Sequence, residues 1–211
     1  AVVRYGRHTV EVRTAAPVAC FVARADLDAH LLSLAVAQGA KFRAGARVVG
    51  VVEDGDAVAV TTADGFVARA RFVIGADGAT SATCRFVRRR GPRRFAQGLA
   101  FAAEVPLDRL DPAQLPPTGL IGLDVARVRG GYAWVFPEGA VANLGLGARL
   151  ARGRRLRRCF GAYLSEIISD YRDAGAAVRA HPLPVGGIPR RLSRAGVLLA
   201  GDAAGVIDAV S

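Results

Sequence analysis

Two segments of the chain break an apolar run in the same way. In "FVIGADGATS", Phe72, Val73 and Ile74 run into Gly75, Asp77 and Gly78; in "VLLAGDAAG", Val197, Leu198 and Leu199 run into Gly201, Asp202 and Gly205. A short apolar run bounded by glycine reads as a buried strand that stops abruptly. Each break sets a carboxylate at a strand end, and the glycines beside it permit positive φ, so backbone can crowd a ligand. Such a carboxylate suits hydrogen bonds from sugar hydroxyls, as in dinucleotide-binding folds. It equally suits the N-cap of an ordinary strand-to-helix turn. Singly, each break leaves both readings open. Two in one chain weigh more than one, and a fold that brings both strand ends together could deliver two carboxylates to one ligand edge.

The rest of the chain supplies two kinds of texture. "HTVEVR" and "VACFVAR" read as strand pieces, and Asp26 opens a helix, "DLDAHLLSLAVAQG", with Leu27, Leu31, Leu34 and Ala35 on one face and Gly39 as its stop. Asp54-Gly55 and Asp64-Gly65 then divide three strand-like runs into an antiparallel meander, and "TSATCRFV" begins a short helix. From about Arg93 to Ala148 short β-type runs alternate with Pro- and Gly-rich loops, which predicts a second antiparallel sheet. In the helix after this sheet, Leu156, Phe160, Tyr163, Leu164, Ile167 and Tyr171 recur at helical spacing opposite a row of arginines. Residues 93–185 therefore read as a sheet-and-helix region between two flanking segments, 1–92 and 186–211.

Composition narrows the function classes. The net charge is +11, and arginines cluster at 88–94 and 152–158. Aromatic residues do not interleave with these clusters, which argues against stacking on nucleic-acid bases; attraction to an anionic membrane surface stays open. No run of about 18 apolar residues predicts a spanning helix. Cys20, Cys84 and Cys159 form no metal or disulfide pattern, so a cytoplasmic setting, peripheral at the membrane at most, is the expectation. His8, His30 and His181 are scattered, and the sequence names no catalytic acid and no metal site.

In "GGYAWVFPEG", Tyr132, Trp134 and Phe136 alternate and therefore share one face of a strand. That face is either core or the apolar wall of a ligand cavity.

"VIGADGATS", "YAWVFP" followed by "NLGLG", and "LLAGDAAG", in this order, resemble the geranylgeranyl reductase family of flavoproteins, within the group with a p-hydroxybenzoate hydroxylase-like fold. "VARADLDAHLLSLAVAQGA" resembles the family's Arg-x-x-Phe-Asp-x-x-Leu stretch, with Leu27 in the Phe position. The resemblance implies an α/β (α+β) fold: an incomplete Rossmann-like FAD-binding domain with its antiparallel meander, and a second antiparallel-sheet substrate domain. It implies FAD as cofactor, reduction of prenyl double bonds in isoprenoid lipids, and an electron donor such as NAD(P)H or ferredoxin. Carried over by residue, Arg24 approaches the flavin and Asp77 and Gly78 lie near the pyrophosphate. Gly201 and Asp202 contact ribose, and Ala203, Ala204 and Gly205 form the turn facing the cofactor. Tyr132, Trp134, Phe136 and Pro137 line the lipid cavity.

The departures from the family are also informative. No Gly-x-Gly-x-x-Gly loop occurs, Ala209 stands in a Pro position, and the sequence stops at Ser211, so the expectation is a fragment of a longer oxidoreductase. Two alternatives remain: a flavin-dependent monooxygenase or halogenase of the same fold group, and a non-catalytic relic or lipid-binding module.

Overall fold

The structure, a computed structural model, describes residues 1–17, 20–88, 96–149, 153–170, 177–185 and 191–207. Its elements in chain order begin with β1 (Val2–Tyr5), β2 (His8–Glu11) and α1 (Arg24–Ala37). The meander comes next as β3 (Val48–Asp54), β4 (Ala57–Thr62) and β5 (Val67–Ala70), then β6 (Val73–Gly75) and α2 (Ala82–Arg88). After it lie β7 (Ala96–Pro106), β8 (Gly122–Asp124), β9 (Gly131–Glu138), β10 (Val141–Arg149) and α3 (Gly153–Ile167). The chain closes with β11 (Arg179–Val185), β12 (Ser193–Arg194), β13 (Val197–Leu199) and α4 (Gly201–Ala204). It divides into two units: Ala1–Ala40 with Gly98–His181, and Lys41–Gln97 with Pro182–Ser211.

The larger unit is built on a seven-stranded sheet in the order β11-β7-β10-β9-β8-β1-β2. Side chains alternate across a strand, so one face of β7, β9 and β10 is apolar and the other is free for function. On the inner face Phe101, Val105, Val135, Leu144 and Leu146 are buried. There they meet Leu156, Phe160, Tyr163, Leu164 and Ile167, the buried stripe of α3. The helical periodicity predicts this stripe, apart from Tyr171, which lies outside the described residues. Burial of each such side chain is worth about 1.5–3 kcal/mol before the entropy of ordering is counted. The outer face of β9 carries Tyr132, Trp134 and Phe136.

In the smaller unit β3, β4 and β5 form the expected antiparallel meander. Its turns place Gly55 at φ +65° and Gly65 at φ +83°, a conformation that glycine adopts without steric cost. Asp64 closes the second turn by accepting from the Thr62 hydroxyl and from Arg43 at 2.6 Å, and these bonds hold its carboxyl well below the ordinary range. A second sheet, β12-β13-β6, has β13 parallel to β6. Val58, Cys84, Val87, Val197, Leu199 and Ala204 pack together around α2.

Five details differ from the sequence reading. β1 hydrogen-bonds parallel to β8, and β2 pairs with β1; residues 1–40 therefore group with the large sheet and not with residues 41–92. The third run of the meander splits, because β6 leaves it to pair with β13. α1 starts at Arg24, two residues before Asp26; its N-cap, Ala23, offers no side-chain bond, and Asp26 sits in the first turn, where a carboxylate favours the helix dipole. The face with Leu27, Leu31, Leu34 and Ala35 buries none of them among the described residues, and Leu31 is 53% and Leu34 51% exposed. No strand forms at 20–23, and residues 18 and 19 of "VACFVAR" lie outside the described residues.

Candidate functional site

The two strand–Gly–Asp breaks end side by side. In the parallel ladder Gly75 lies opposite Leu199, and the Ala200 N–H donates to the Gly75 carbonyl at 2.9 Å. Asp77 and Asp202 therefore leave the same carboxyl edge of adjacent parallel strands, where open α/β sheets bind ligands. A Cβ added at Gly78 (φ +75°) or Gly201 (φ +56°) would meet nothing within 4 Å, so both turns face open space. This edge, with its open backbone and exposed carboxylate, fits the ribose-bearing half of a dinucleotide.

The two carboxylates are employed differently. Asp77 Oδ1 accepts from the Ser81 and Thr83 hydroxyls, each at 2.5 Å, and Oδ2 accepts from the Ala82 and Thr83 N–H groups at 2.7 and 3.2 Å. It caps the first turn of α2. Burial alone favours its neutral form, but the hydrogen bonds from Ser81 and Thr83 outweigh burial and hold the carboxyl below its ordinary range. The packing is close: a Cβ on Gly75 would come within 2.1 Å of Thr83 Oγ1. Asp202 is exposed, and its carboxylate makes no hydrogen bond or ion pair among the described residues. Behind it Ala203 and Ala204 are buried, and Gly205 ends α4 in the left-handed region at φ +68°.

In the larger unit the outer face of β9 carries a row of rings. Tyr132 and Trp134 lie 5.9 Å apart by centroid, Trp134 and Phe136 lie 6.0 Å apart, and Phe21 tilts over Phe136 at 5.1 Å. Their strand neighbours Ala133 and Val135 are buried on the opposite face against the α3 core, so this row is not part of that core. Pro137 comes next on the same strand, half-buried. Trp134 Nε1 donates to Asn143 Oδ1 at 2.8 Å. Its indole lies over Gly145, where a Cβ would fall 1.9 Å from the ring. From beneath, the buried Tyr163 hydroxyl donates to the Trp134 carbonyl at 2.9 Å, and burial pushes that phenol well above its usual pKa.

Arg24 belongs to the larger unit, at the start of α1, and is exposed; it pairs with Asp28 one turn on at 3.2 Å. Sequence reasoning missed Phe21, Asn143, Gly145 and Tyr163. The spacing of "NLGLG" after "YAWVFP" held a signal for Asn143 and Gly145, because antiparallel pairing of β9 with β10 sets Gly145 opposite Trp134. No local pattern marks Phe21. Among the described residues no group of three or more His, Cys, Asp or Glu could hold a metal ion. The three cysteines are free.

With this geometry in place, the comparisons define the class. Residues 3–107 match the family described as FAD binding domain. Klebsiella pneumoniae HpxO, solved with FAD and uric acid, is 25% identical with a TM-score of 0.59, covering 87% of this chain and 48% of that one. The flavin-dependent halogenase CmlS is 22% identical with a TM-score of 0.61, covering 86% of this chain and 35% of that one. The fold is p-hydroxybenzoate hydroxylase-like; residues 3–107 match an FAD binding domain, and FAD is the cofactor of that domain.

Nearer relatives in sequence are reductases by name. Menaquinone reductase of Mycobacterium tuberculosis is 31% identical over 197 residues, 89% of this chain and 48% of the relative. Digeranylgeranylglycerophospholipid reductase 1 of Methanopyrus kandleri is 36% identical over 174 residues, 75% of this chain and 41% of the relative. The chain spans about half the length of the curated relatives it matches.

Proposed function

We propose that the chain forms part of an FAD-dependent reductase of prenyl double bonds in isoprenoid lipids. The observation that carries this reading is the aromatic row on β9, whose central ring has its one polar edge engaged by Asn143. Such a wall offers carbon to a ligand and suits an apolar chain better than a polar aromatic substrate. The names of the sequence relatives support the same substrate class.

The chemistry that FAD supplies when bound and reduced is hydride delivery to one alkene carbon. This chain's residues bind and orient. The Asp202 carboxylate would accept hydrogen bonds from ribose hydroxyls. The turns at Gly78 and at Gly201, Ala203, Ala204 and Gly205 would let backbone approach the cofactor closely. Asp77 acts one step back, by holding the loop that carries Gly78. Arg24 is retained as a flavin contact on its resemblance alone. Tyr132, Trp134 and Phe136 would hold the lipid and exclude water from it; Pro137 alternates onto the face of Ala133 and Val135 and is retained on its resemblance alone. We also assign peripheral contact with anionic lipid to the outward side of α3, where Arg154, Arg155, Arg157 and Arg158 are all exposed. No helix of the described residues is long and apolar enough to cross a membrane.

A second reading, hydroxylation or halogenation of a small aromatic compound, is favoured by structural neighbours named as a hydroxylase and a halogenase. One experiment separates the two. The chain is incubated with FAD, dithionite and a geranylgeranyl lipid, and in parallel with FAD, NADPH, oxygen and a phenol. Mass spectrometry showing gain of two hydrogens per double bond supports the reductase. Oxygen insertion into the phenol without reduction of the lipid contradicts it.

A further inference from the structure

The row of rings on β9 contains one indole, and the fold restrains it from three sides. Trp134 is the only tryptophan in the chain. Gly145, its partner across the β9–β10 ladder, leaves a seat that a single methyl group would fill. The Tyr163 hydroxyl holds the strand from below through the Trp134 carbonyl. These two contacts fix the height of the ring and the position of its backbone. Neither fixes how the ring is turned within its seat, because glycine has no side chain to steer it.

That constraint comes from Asn143. Its Oδ1 lies 2.8 Å from the indole Nε1 and is the acceptor for the one donor the ring possesses. Indole N–H groups left without an acceptor in apolar surroundings are costly, so this bond selects one ring orientation and occupies the one polar edge of the ring. Tyr132 and Phe136 flank Trp134 at 5.9 and 6.0 Å, and their alignment into one wall depends on that orientation.

We infer that Asn143 is a positioning residue for an apolar, prenyl-type ligand: it turns the Trp134 indole into a flat wall and removes the ring's hydrogen-bond donor from the ligand's path. The inference rests on the prenyl-lipid reading and extends it to a residue outside the aromatic motif. It assigns Asn143 no contact with the reacting atoms.

Trp134 serves as its own probe in the full chain. Emission maximum and acrylamide quenching are measured for the wild type, Asn143→Leu, Asn143→Asp and Gly145→Ala, with far-ultraviolet circular dichroism as the fold control. Geranylgeraniol is then titrated against the same emission. Asn143→Leu keeps the bulk and removes the acceptor; quenching should rise, emission should shift to the red, and geranylgeraniol affinity should fall about tenfold. Asn143→Asp keeps the acceptor and should keep wild-type quenching at neutral pH, while its charge still weakens geranylgeraniol binding. Asn143→Leu with wild-type quenching and wild-type affinity overturns the inference. Should Asn143→Leu fail to fold, Gly145→Ala decides the matter: the added methyl must displace the ring and raise quenching, and an unchanged signal overturns the pinned geometry. Loosening of the ring in Asn143→Leu, with no wild-type response to geranylgeraniol, contradicts the prenyl-lipid reading and the ligand role of Asn143, and leaves the restraint on the ring intact.

Discussion

The ends of β6 and β13 carry nearly the same residues and do different work. Both strands stop at the same edge of one parallel pair, and both continue through glycine into an aspartate and a helix. At β6 the carboxylate folds back over α2 and takes four hydrogen bonds from the helix and the loop before it. At β13 the carboxylate takes none among the described residues, and the small residues behind it are buried. The difference lies in the side chains just beyond each aspartate. Ser81 and Thr83 place hydroxyls within reach of Asp77, whereas Ala203 and Ala204 offer Asp202 nothing. A strand–Gly–Asp break is thus a frame, and its near neighbours decide whether it serves the fold or a ligand.

The sharpest way to break this contrast is at Gly75. A methyl group there meets Thr83 Oγ1 at 2.1 Å, so Gly75→Ala should destabilise the smaller unit by about 1–3 kcal/mol in a denaturant titration. Next, Asp77→Ala leaves two N–H groups of the first turn of α2 without their acceptor and should cost about 1–2 kcal/mol, read by the same titration. Acid should reproduce part of this loss. Because the folded-state carboxyl lies below 3.8, its contribution is complete above that value and disappears as pH falls through the lowered one. The acid limb of the unfolding profile should therefore flatten in Asp77→Asn. At the other strand end, Asp202→Ala should change stability by less than about 0.5 kcal/mol. The same variant should weaken FAD binding about tenfold in a flavin-fluorescence titration. Smallest of all, Arg24→Ala removes only the exposed pair with Asp28 and should alter stability by about 0.3–0.5 kcal/mol at most.

Local chemistry is legible in the sequence, and pairing across the chain is not. The Asp54-Gly55 and Asp64-Gly65 turns can be read because glycine at positive φ is a local requirement. The buried stripe of α3 can be read from Leu156, Phe160 and Ile167 because its period is local too. The pattern alone makes β6 the end of the meander, since nothing near Val73 announces that its partner is Val197. For the same reason the pattern separates β1 from the large sheet, although Val3 lies beside Leu123. It also starts α1 late, because Ala23 caps the helix without a polar side chain. In the aromatic row, alternation places Tyr132, Trp134 and Phe136 on one face. The orientation of the indole depends on the β9–β10 register, which brings Asn143 and Gly145 beneath it.

The most direct measurement is the FAD dissociation constant of the wild-type chain beside Asp77→Asn and Asp202→Asn, each checked for folding by circular dichroism. If the unbonded carboxylate of Asp202 serves the cofactor and the hydrogen-bonded one of Asp77 serves the fold, the wild type binds saturably. Asp77→Asn then binds within about twofold of it, and Asp202→Asn about tenfold more weakly. Equal affinities for the wild type and Asp202→Asn, or no uptake of FAD by the wild type, would contradict that division of labour.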